Sequence, residues 1–302
     1  MTLLHAHTES GGVVDFLGDV LLDGVIDTLC LLPFLFLTYL LMEFIEHRAS
    51  DKAESFMRRA GNFGPLLGGT LGVVPQCGFS AAASNLYAGR VISIGTLVAV
   101  FLSTSDEMLP ILISGKLSAG AIALILGYKA AVGILVGFCI DAILRITHRS
   151  REEINIDEIC DNDNCHCERG IIYSAVHHTI TISLFVLLVT VLINTLIFFV
   201  GVDNLGAVMY DKPFISHVIA SVFGLIPNCA ASVVLSKLFT DGLITAGTMM
   251  SGLFSGAGVG VLVLFRVNRH WKENLTVLGV LVGVGILFGL LADIVIPTHL
   301  FS

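Results

Sequence analysis

Charge is scarce in this chain. Asp, Glu, Lys and Arg make up only 13% of its 302 residues, where a soluble domain carries roughly 25%. Hydrophobic residues make up 55% and the mean hydropathy is +0.90, a balance that excludes an assembly of soluble domains. The first 28 residues hold no Lys or Arg, which speaks against a secretory signal peptide with its basic n-region. No G-x-x-x-x-G-K-[ST] motif is present, so nucleotide-driven transport lacks its phosphate cradle. H-E-x-x-H and G-x-S-x-G are missing too, which argues against an intramembrane enzyme. The cysteines show no spacing of a secreted disulfide scaffold. The net charge of −8 argues against nucleic acid as a partner.

Long apolar runs are present instead. They cover 29–44, 91–112, 119–140, 179–202, 214–235, 243–265 and 277–296, most of them near the ~20 residues a spanning helix requires. The bilayer is therefore an expected partner, and the expected class is an all-α integral membrane protein. Ahead of the first run, Asp15, Asp19, Asp23 and Asp27 recur every four residues with apolar residues between them. This predicts an amphipathic acidic segment over 1–28, either a solvated interfacial face or a cation-collecting vestibule.

The chain also repeats itself. Gly72-Val-Val-Pro-Gln-Cys77-Gly-Phe-Ser80 is answered 152 positions later by Gly224-Leu-Ile-Pro-Asn-Cys229-Ala-Ala-Ser232. The same offset pairs Gly95, Thr96 and Ser103 with Gly247, Thr248 and Ser255, and Gly133, Gly137 and Asp141 with Gly285, Gly289 and Asp293. Two membrane repeats of about 150 residues are expected, over 29–148 and 173–302, joined by a linker at 149–172. Interrupted hydrophobic segments at matching positions of two repeats point to a transporter and to its binding site.

Positive charge sets the expected orientation. Arg48, Lys52, Arg58 and Arg59, the linker arginines, and Arg266, Arg269 and Lys272 mark three cytoplasmic loops, with both termini outside. Residues 61–116 must then cross an odd number of times, although they contain two apolar segments. The Pro-broken one is predicted not to cross. It becomes a re-entrant hairpin over 61–89 with Pro75-Gln76-Cys77 at its tip. Residues 213–241 form the second hairpin, with Pro227-Asn228-Cys229 at its tip. An odd number of crossings inverts the second repeat relative to the first. The stripes Gly64/Gly68/Gly72, Gly133/Gly137, Gly252/Gly256/Gly260 and Gly285/Gly289 suit close helix approach, within the chain or in a homo-oligomer.

Ionisable residues inside the membrane cost about 2.5–3.5 kcal/mol each at a helix centre and usually mark a pathway. Asp106 and Glu107 stand in such a run, with Pro110 expected to interrupt the helix just after them; an interfacial ion pair with Lys116 is the alternative. Ser103, Thr104 and Ser105 precede them, and Ser255 answers from the second repeat. With the tip amides Gln76 and Asn228 and the thiols Cys77 and Cys229, they mix hard and soft donors suited to a transition metal or a metalloid, although the tip cysteines also suit plain packing. Cys30 and Cys139 read as packing residues. Glu43, Asp141, Asp293 and Lys129 are coupling candidates. The aspartates read equally as solvated helix ends, and Lys129 as a counter-ion or a snorkelling residue. In the linker, Cys160, Cys165, His166 and Cys167 form either a cytoplasmic metal trap or a flexible segment with incidental thiols.

The segments Leu32-Pro-Phe-Leu-Phe-Leu-Thr-Tyr-Leu-Leu-Met-Glu43, Val74-Pro-Gln-Cys-Gly-Phe-Ser80, Ser103-Thr-Ser-Asp-Glu-Met108 and Leu225-Ile-Pro-Asn-Cys229 resemble the ten-transmembrane heavy-metal exporters, also labelled arsenic efflux or manganese transporter proteins. The Cys/His linker looks like that family's as well. The resemblance implies a multi-pass carrier of a bacterial-type plasma membrane, not an enzyme, which exports a divalent metal or an arsenic species. The ion is its substrate, and no cofactor is required. An organic-anion permease and a metal sensor acting through the linker are the alternatives.

Overall fold

The computed structural model describes residues 63–73, 77–104, 108–146, 213–227 and 229–295, with isolated helical positions between 25 and 40 and between 176 and 191. The regular structure among these residues is helical throughout. The first half contributes α1 (Gly64–Leu71), α2 (Cys77–Ala88), α3 (Ile94–Ser103), α4 (Met108–Ser114) and α5 (Ala119–Ile146). The second contributes α6 (Pro213–Gly224), α7 (Cys229–Thr240), α8 (Ala246–Ser255), α9 (Val259–Val267) and α10 (Trp271–Val295). Ala119–Ile146, Ala246–Val267 and Trp271–Val295 are long and apolar enough to cross a membrane.

The same local chemistry starts the equivalent helices. Ser93 opens α3 in extended conformation and its side chain accepts from the Thr96 amide, while Thr245 opens α8 and accepts from the Thr248 amide. A side-chain oxygen at this position satisfies one of the orphan amides of a first turn. Long helices then fasten these starts. Asp141 of α5 accepts from the Gly95 amide at 3.1 Å and the Ser93 hydroxyl at 2.7 Å. Asp293 of α10 accepts from the Gly247 amide at 2.7 Å and the Thr245 hydroxyl at 3.0 Å.

Two of the long apolar runs are broken. The 91–112 run ends its first helix at Ser103, and Thr104 leaves the helical region at φ −56°, ψ 131°. The 243–265 run breaks after Ser255, where Gly258 takes φ 53°, ψ −140°, a conformation open to glycine because it lacks a Cβ. Pro110 does not make the first break: it sits at the third residue of α4, where a missing amide hydrogen costs little.

Each half packs as a triplet with its other elements exchanged. Helices α1, α3 and α5 pack together, and so do α6, α8 and α10, while α2 lies against α9 and α4 against α7. Glycine permits the close contacts. A Cβ at Gly137 would lie 2.6 Å from the Gly95 carbonyl, and one at Gly289 would lie 2.8 Å from the Gly247 carbonyl. The stripes singled out in the sequence thus face neighbours within the chain. Cys139, read as a packing residue, is exposed instead.

Contacts also order the elements along the bundle. At one end, Arg90 and Tyr87, just after and within α2, reach Glu273 at the start of α10. At the other, Gly115 after α4 abuts the Thr240 side chain at the end of α7. Helix α1 runs alongside α3, with Gly64 at Thr96 and Gly72 at Ser103, and α2 returns toward Glu273. Helix α6 starts near Asp293, which His217 approaches to 3.2 Å, and its end at Gly224 meets the Gly252 carbonyl.

Gly260 tests this packing. A Cβ there would fall 2.7 Å from the Ser80 Cβ and 2.9 Å from its carbonyl. Gly260→Ala should therefore destabilise by about 1–3 kcal/mol through overpacking, although alanine has the better helix propensity. Gly279→Ala, which meets nothing within 4 Å, should leave the melting temperature in detergent unchanged or raise it slightly.

Candidate functional site

The helix breaks lie beside one another. A Cβ at Gly72, the C-cap of α1, would collide with the Ser103 hydroxyl at the end of α3. Gly224, the last residue of α6, meets the Gly252 carbonyl three residues before the end of α8 in the same way. Each broken span thus ends beside the end of a short helix of its own half. Non-helical backbone at membrane depth is tolerated where it is buried in protein or lines a cavity.

The hydroxyls at these ends are fully buried or nearly so. Ser103 and Thr104 donate to the Val100 carbonyl at 3.1 and 2.7 Å, and Ser255 donates to the Ser251 carbonyl at 2.9 Å. Each hydrogen is used within its own helix, which leaves oxygen lone pairs for an incoming group. Acceptors of this kind suit a cation. Cys77 and Cys229 are the first residues of α2 and α7. Gln76, Ser105, Asp106, Glu107 and Asn228 lie outside the described residues, as do Glu43 and the linker residues Cys160, Cys165, His166 and Cys167. Among the described residues no group of three or more His, Cys, Asp and Glu side chains is placed to hold a metal ion.

Lys129 does not snorkel. Its side chain is 0% exposed, and Nζ donates to the Leu253 carbonyl at 2.9 Å. The ammonium also lies 5.9 Å from the centroid of the Phe254 ring. It therefore links α5 of the first half to the end of α8 in the second. Tyr128 adds a second link, donating to the Phe288 carbonyl at 2.7 Å.

Asp141 and Asp293 prove to be engaged at helix starts. A carboxylate there meets free amides and the positive end of the helix dipole. His217, 1% exposed on its side chain, stands beside Asp293; its repeat position is Pro65, so this imidazole belongs to the second half alone.

Sequence reading missed a polar cluster at the Arg90 end. Tyr87 Oη donates to Glu273 Oε2 at 2.8 Å and Arg90 Nη1 to the same oxygen at 3.1 Å. Arg90 Nη2 lies 3.4 Å from His270 Nδ1, and its guanidinium stacks over the Tyr87 ring at 5.4 Å. Asn268 Nδ2 donates to Asn274 Oδ1 at 2.8 Å and holds the turn before α10. The available signal was Arg90 itself, an isolated charge between two apolar runs, together with Glu273 among basic residues.

Capping and coupling roles for the two aspartates predict different variants. Asp141→Ala or Asp293→Ala should cost about 1–2 kcal/mol through the lost cap, read as a lower melting temperature. Asp141→Asn, which still accepts from the Gly95 amide, should keep most of that stability and full transport. Loss of transport at unchanged stability would instead make the carboxylate a coupling group.

Searches of curated proteins and of solved structures returned no match. A family model described as "Putative, 10TM heavy-metal exporter" matches residues 18–212. That stretch covers well over half of the chain, including the first half with its broken span and the Cys/His linker. Together with the apolar helices, the match identifies a multi-pass membrane protein, and the chain belongs to this family of ten-transmembrane heavy-metal exporters.

Proposed function

We infer that the protein is a secondary transporter that exports a divalent metal such as Mn²⁺ or an arsenic species by alternating access. The observation that carries this reading is the recurrence of the helix breaks. Interruptions follow Gly72 and Ser103 in the first half and Gly224 and Ser255 in the second, at the same repeat positions. On this reading the repeats are inverted. The pair α1–α2 enters from and returns to the Arg90–Glu273 end, and α6–α7 does so at the Thr240–Gly115 end. Contacts of Tyr87 and Arg90 with Glu273, and of Thr240 with Gly115, support that arrangement. Both pairs then act as re-entrant hairpins whose tips carry Gln76, Cys77, Asn228 and Cys229 toward the breaks.

In this arrangement Asp106 and Glu107 supply charge, while Ser103, Thr104, Ser105 and Ser255 supply neutral oxygen. Soft sulfur from Cys77 and Cys229 favours a transition metal or metalloid over Mg²⁺. The ion gradient or the membrane potential drives the cycle, with Arg266, Arg269 and Lys272 on the cytoplasmic side. Supporting the cation reading over an organic-anion permease, the buried Lys129 ammonium already engages the Leu253 carbonyl and the Phe254 ring. The Cys/His linker would collect metal on the cytoplasmic side.

Removing one carboxylate charge tests the site. Asp106→Asn or Glu107→Gln should cost on the order of 3 kcal/mol in metal binding, roughly a hundredfold in affinity. The assay is growth of a sensitive host on graded Mn²⁺, Zn²⁺ and arsenite, with metal uptake into inverted vesicles measured alongside. If both variants transport as well as the parent, the site moves to the Cys77 and Cys229 tips, with a soft metalloid as cargo.

The linker should tune transport without creating it. Exchanging Cys160, Cys165, His166 and Cys167 for Ser or Ala should weaken metal binding by the linker, because thiolate and imidazole are its best ligands. Transport at saturating metal should persist. Complete loss with normal expression would favour a sensor.

A further inference from the structure

We propose, on the basis of the carrier reading, that the seam between α7 and α4 is the passage of the metal cargo to the Thr240–Gly115 end, with the Ser236 hydroxyl as a cation ligand within it. Ser236 is 0% exposed, and its hydroxyl has no hydrogen-bond partner among the described residues. A buried hydroxyl left in this way carries its full desolvation cost, so its place in the fold calls for a use.

The other half shows what the same position does when it is satisfied. Ser236 is the repeat counterpart of Ser84, which is equally buried. The Ser84 hydroxyl lies 2.7 Å from the Gly260 carbonyl at the start of α9 and 2.9 Å from the Ser80 carbonyl of its own helix. Gly260 has no room for a side chain, since a Cβ there would fall 2.7 Å from the Ser80 Cβ. The α2–α9 seam is therefore sealed by backbone contact and a hydrogen bond. Helices α7 and α4 are the repeat counterparts of α2 and α9, and they too pack together. Met108 stands at the position of Gly260, and its side chain bars so close an approach. By the repeat, Ser236 is placed toward the start of α4, with its hydroxyl unspent.

This seam leads away from the proposed binding residues. The fully buried Met108 follows Asp106 and Glu107 directly in the chain. Ser236 comes seven residues after Cys229, about 10 Å along α7. At the far end, a Cβ at Gly115 would lie 2.6 Å from Thr240 Cγ2. A free hydroxyl can give a cation its lone pairs and give its hydrogen to a water of the ion's shell. The Met108 thioether on the facing helix is a soft donor, in keeping with a transition metal. Neutral ligands of this kind hold an ion weakly enough to release it onward.

The test reads the side of the membrane from which each serine position is reached. Ser236→Cys and Ser84→Cys are made in the full chain. Lys237→Cys and Lys272→Cys, at exposed positions, mark the two ends. A charged, impermeant methanethiosulfonate is applied to intact cells and to inverted vesicles, and the labelled peptide is identified by mass. Ser236→Cys should react from the side that labels Lys237→Cys, and Ser84→Cys should not. In addition, Ser236→Ala should raise the half-saturating Mn²⁺ for uptake into inverted vesicles several-fold, with a melting temperature at or above that of wild type. Ser84→Ala, which breaks a hydrogen bond, should melt lower. Reaction of Ser236→Cys from the Lys272 side, or from neither side, would overturn the proposal, as would unchanged Mn²⁺ saturation in Ser236→Ala. If Ser236→Cys does not fold, Ser236→Ala decides. Labelling is read without transport: wrong sides with export intact sink this proposal alone, whereas right sides without any metal export sink the carrier reading.

Discussion

Backbone amides and carbonyls without water as a partner govern this structure. In hydrocarbon each unsatisfied group costs several kcal/mol, so every place where a helix stops at depth needs a substitute donor or acceptor. The chain provides one at several helix ends within the described residues. At the starts of α3 and α8, Asp141 and Asp293 receive the amides of Gly95 and Gly247, and Ser93 and Thr245 receive those of Thr96 and Thr248. At the other end of α8, Lys129 supplies the donor that the diverted Ala257 amide withholds from Leu253. The broken end of α8 is thus answered from a neighbouring helix.

Glycine and serine distribute that answer. Gly95 and Gly137, and likewise Gly247 and Gly289, let the helix that donates the carboxylate lie close to the helix it caps. Buried serines turn their hydrogens back on their own helices, as Ser103 and Ser255 do. They present oxygen to the interior without leaving a donor unsatisfied. Ser84 does similar work between halves: its hydroxyl lies 2.7 Å from the Gly260 carbonyl and ties α2 to α9. Association here rests on such close contacts more than on apolar side chains, since lipid offers those an equivalent environment.

The exchange of elements between halves has a functional consequence. Helix α2 packs on α9 and α7 on α4, while the triplets α1–α3–α5 and α6–α8–α10 stay within their own halves. A relative movement of the triplets is then constrained by cross-half contacts. The polar cluster of Tyr87, Arg90 and Glu273 forms one of these at one end of the bundle. At the repeat positions of these residues stand Phe239, Gly242 and Ala121, so the two ends differ in chemistry although their helices correspond. The charged cluster at the Arg90 end thus has no counterpart at the repeat positions near Thr240.

Much of the architecture was legible in the sequence because the bilayer restricts what a chain can do. The apolar runs, the 152-residue recurrence from Cys77 to Cys229 and the glycine stripes each carry a periodic signal that needs no knowledge of neighbours. The break within 243–265 was not legible, and that within 91–112 was expected at Pro110, whereas the helix ends already at Ser103. Both runs are apolar enough to span, and a helix end of this kind depends on partners distant in sequence. For the same reason Asp141 and Asp293 read as solvated ends until the tertiary structure placed the amides of Gly95 and Gly247 against them. Lys129 could be recognised as out of place in its helix, but the carbonyl that holds it lies 124 residues away. Composition and periodicity determined that this chain enters a membrane as two related halves. Which buried polar group meets which helix end was decided by the tertiary structure, because those hydrogen bonds join segments that only folding brings together.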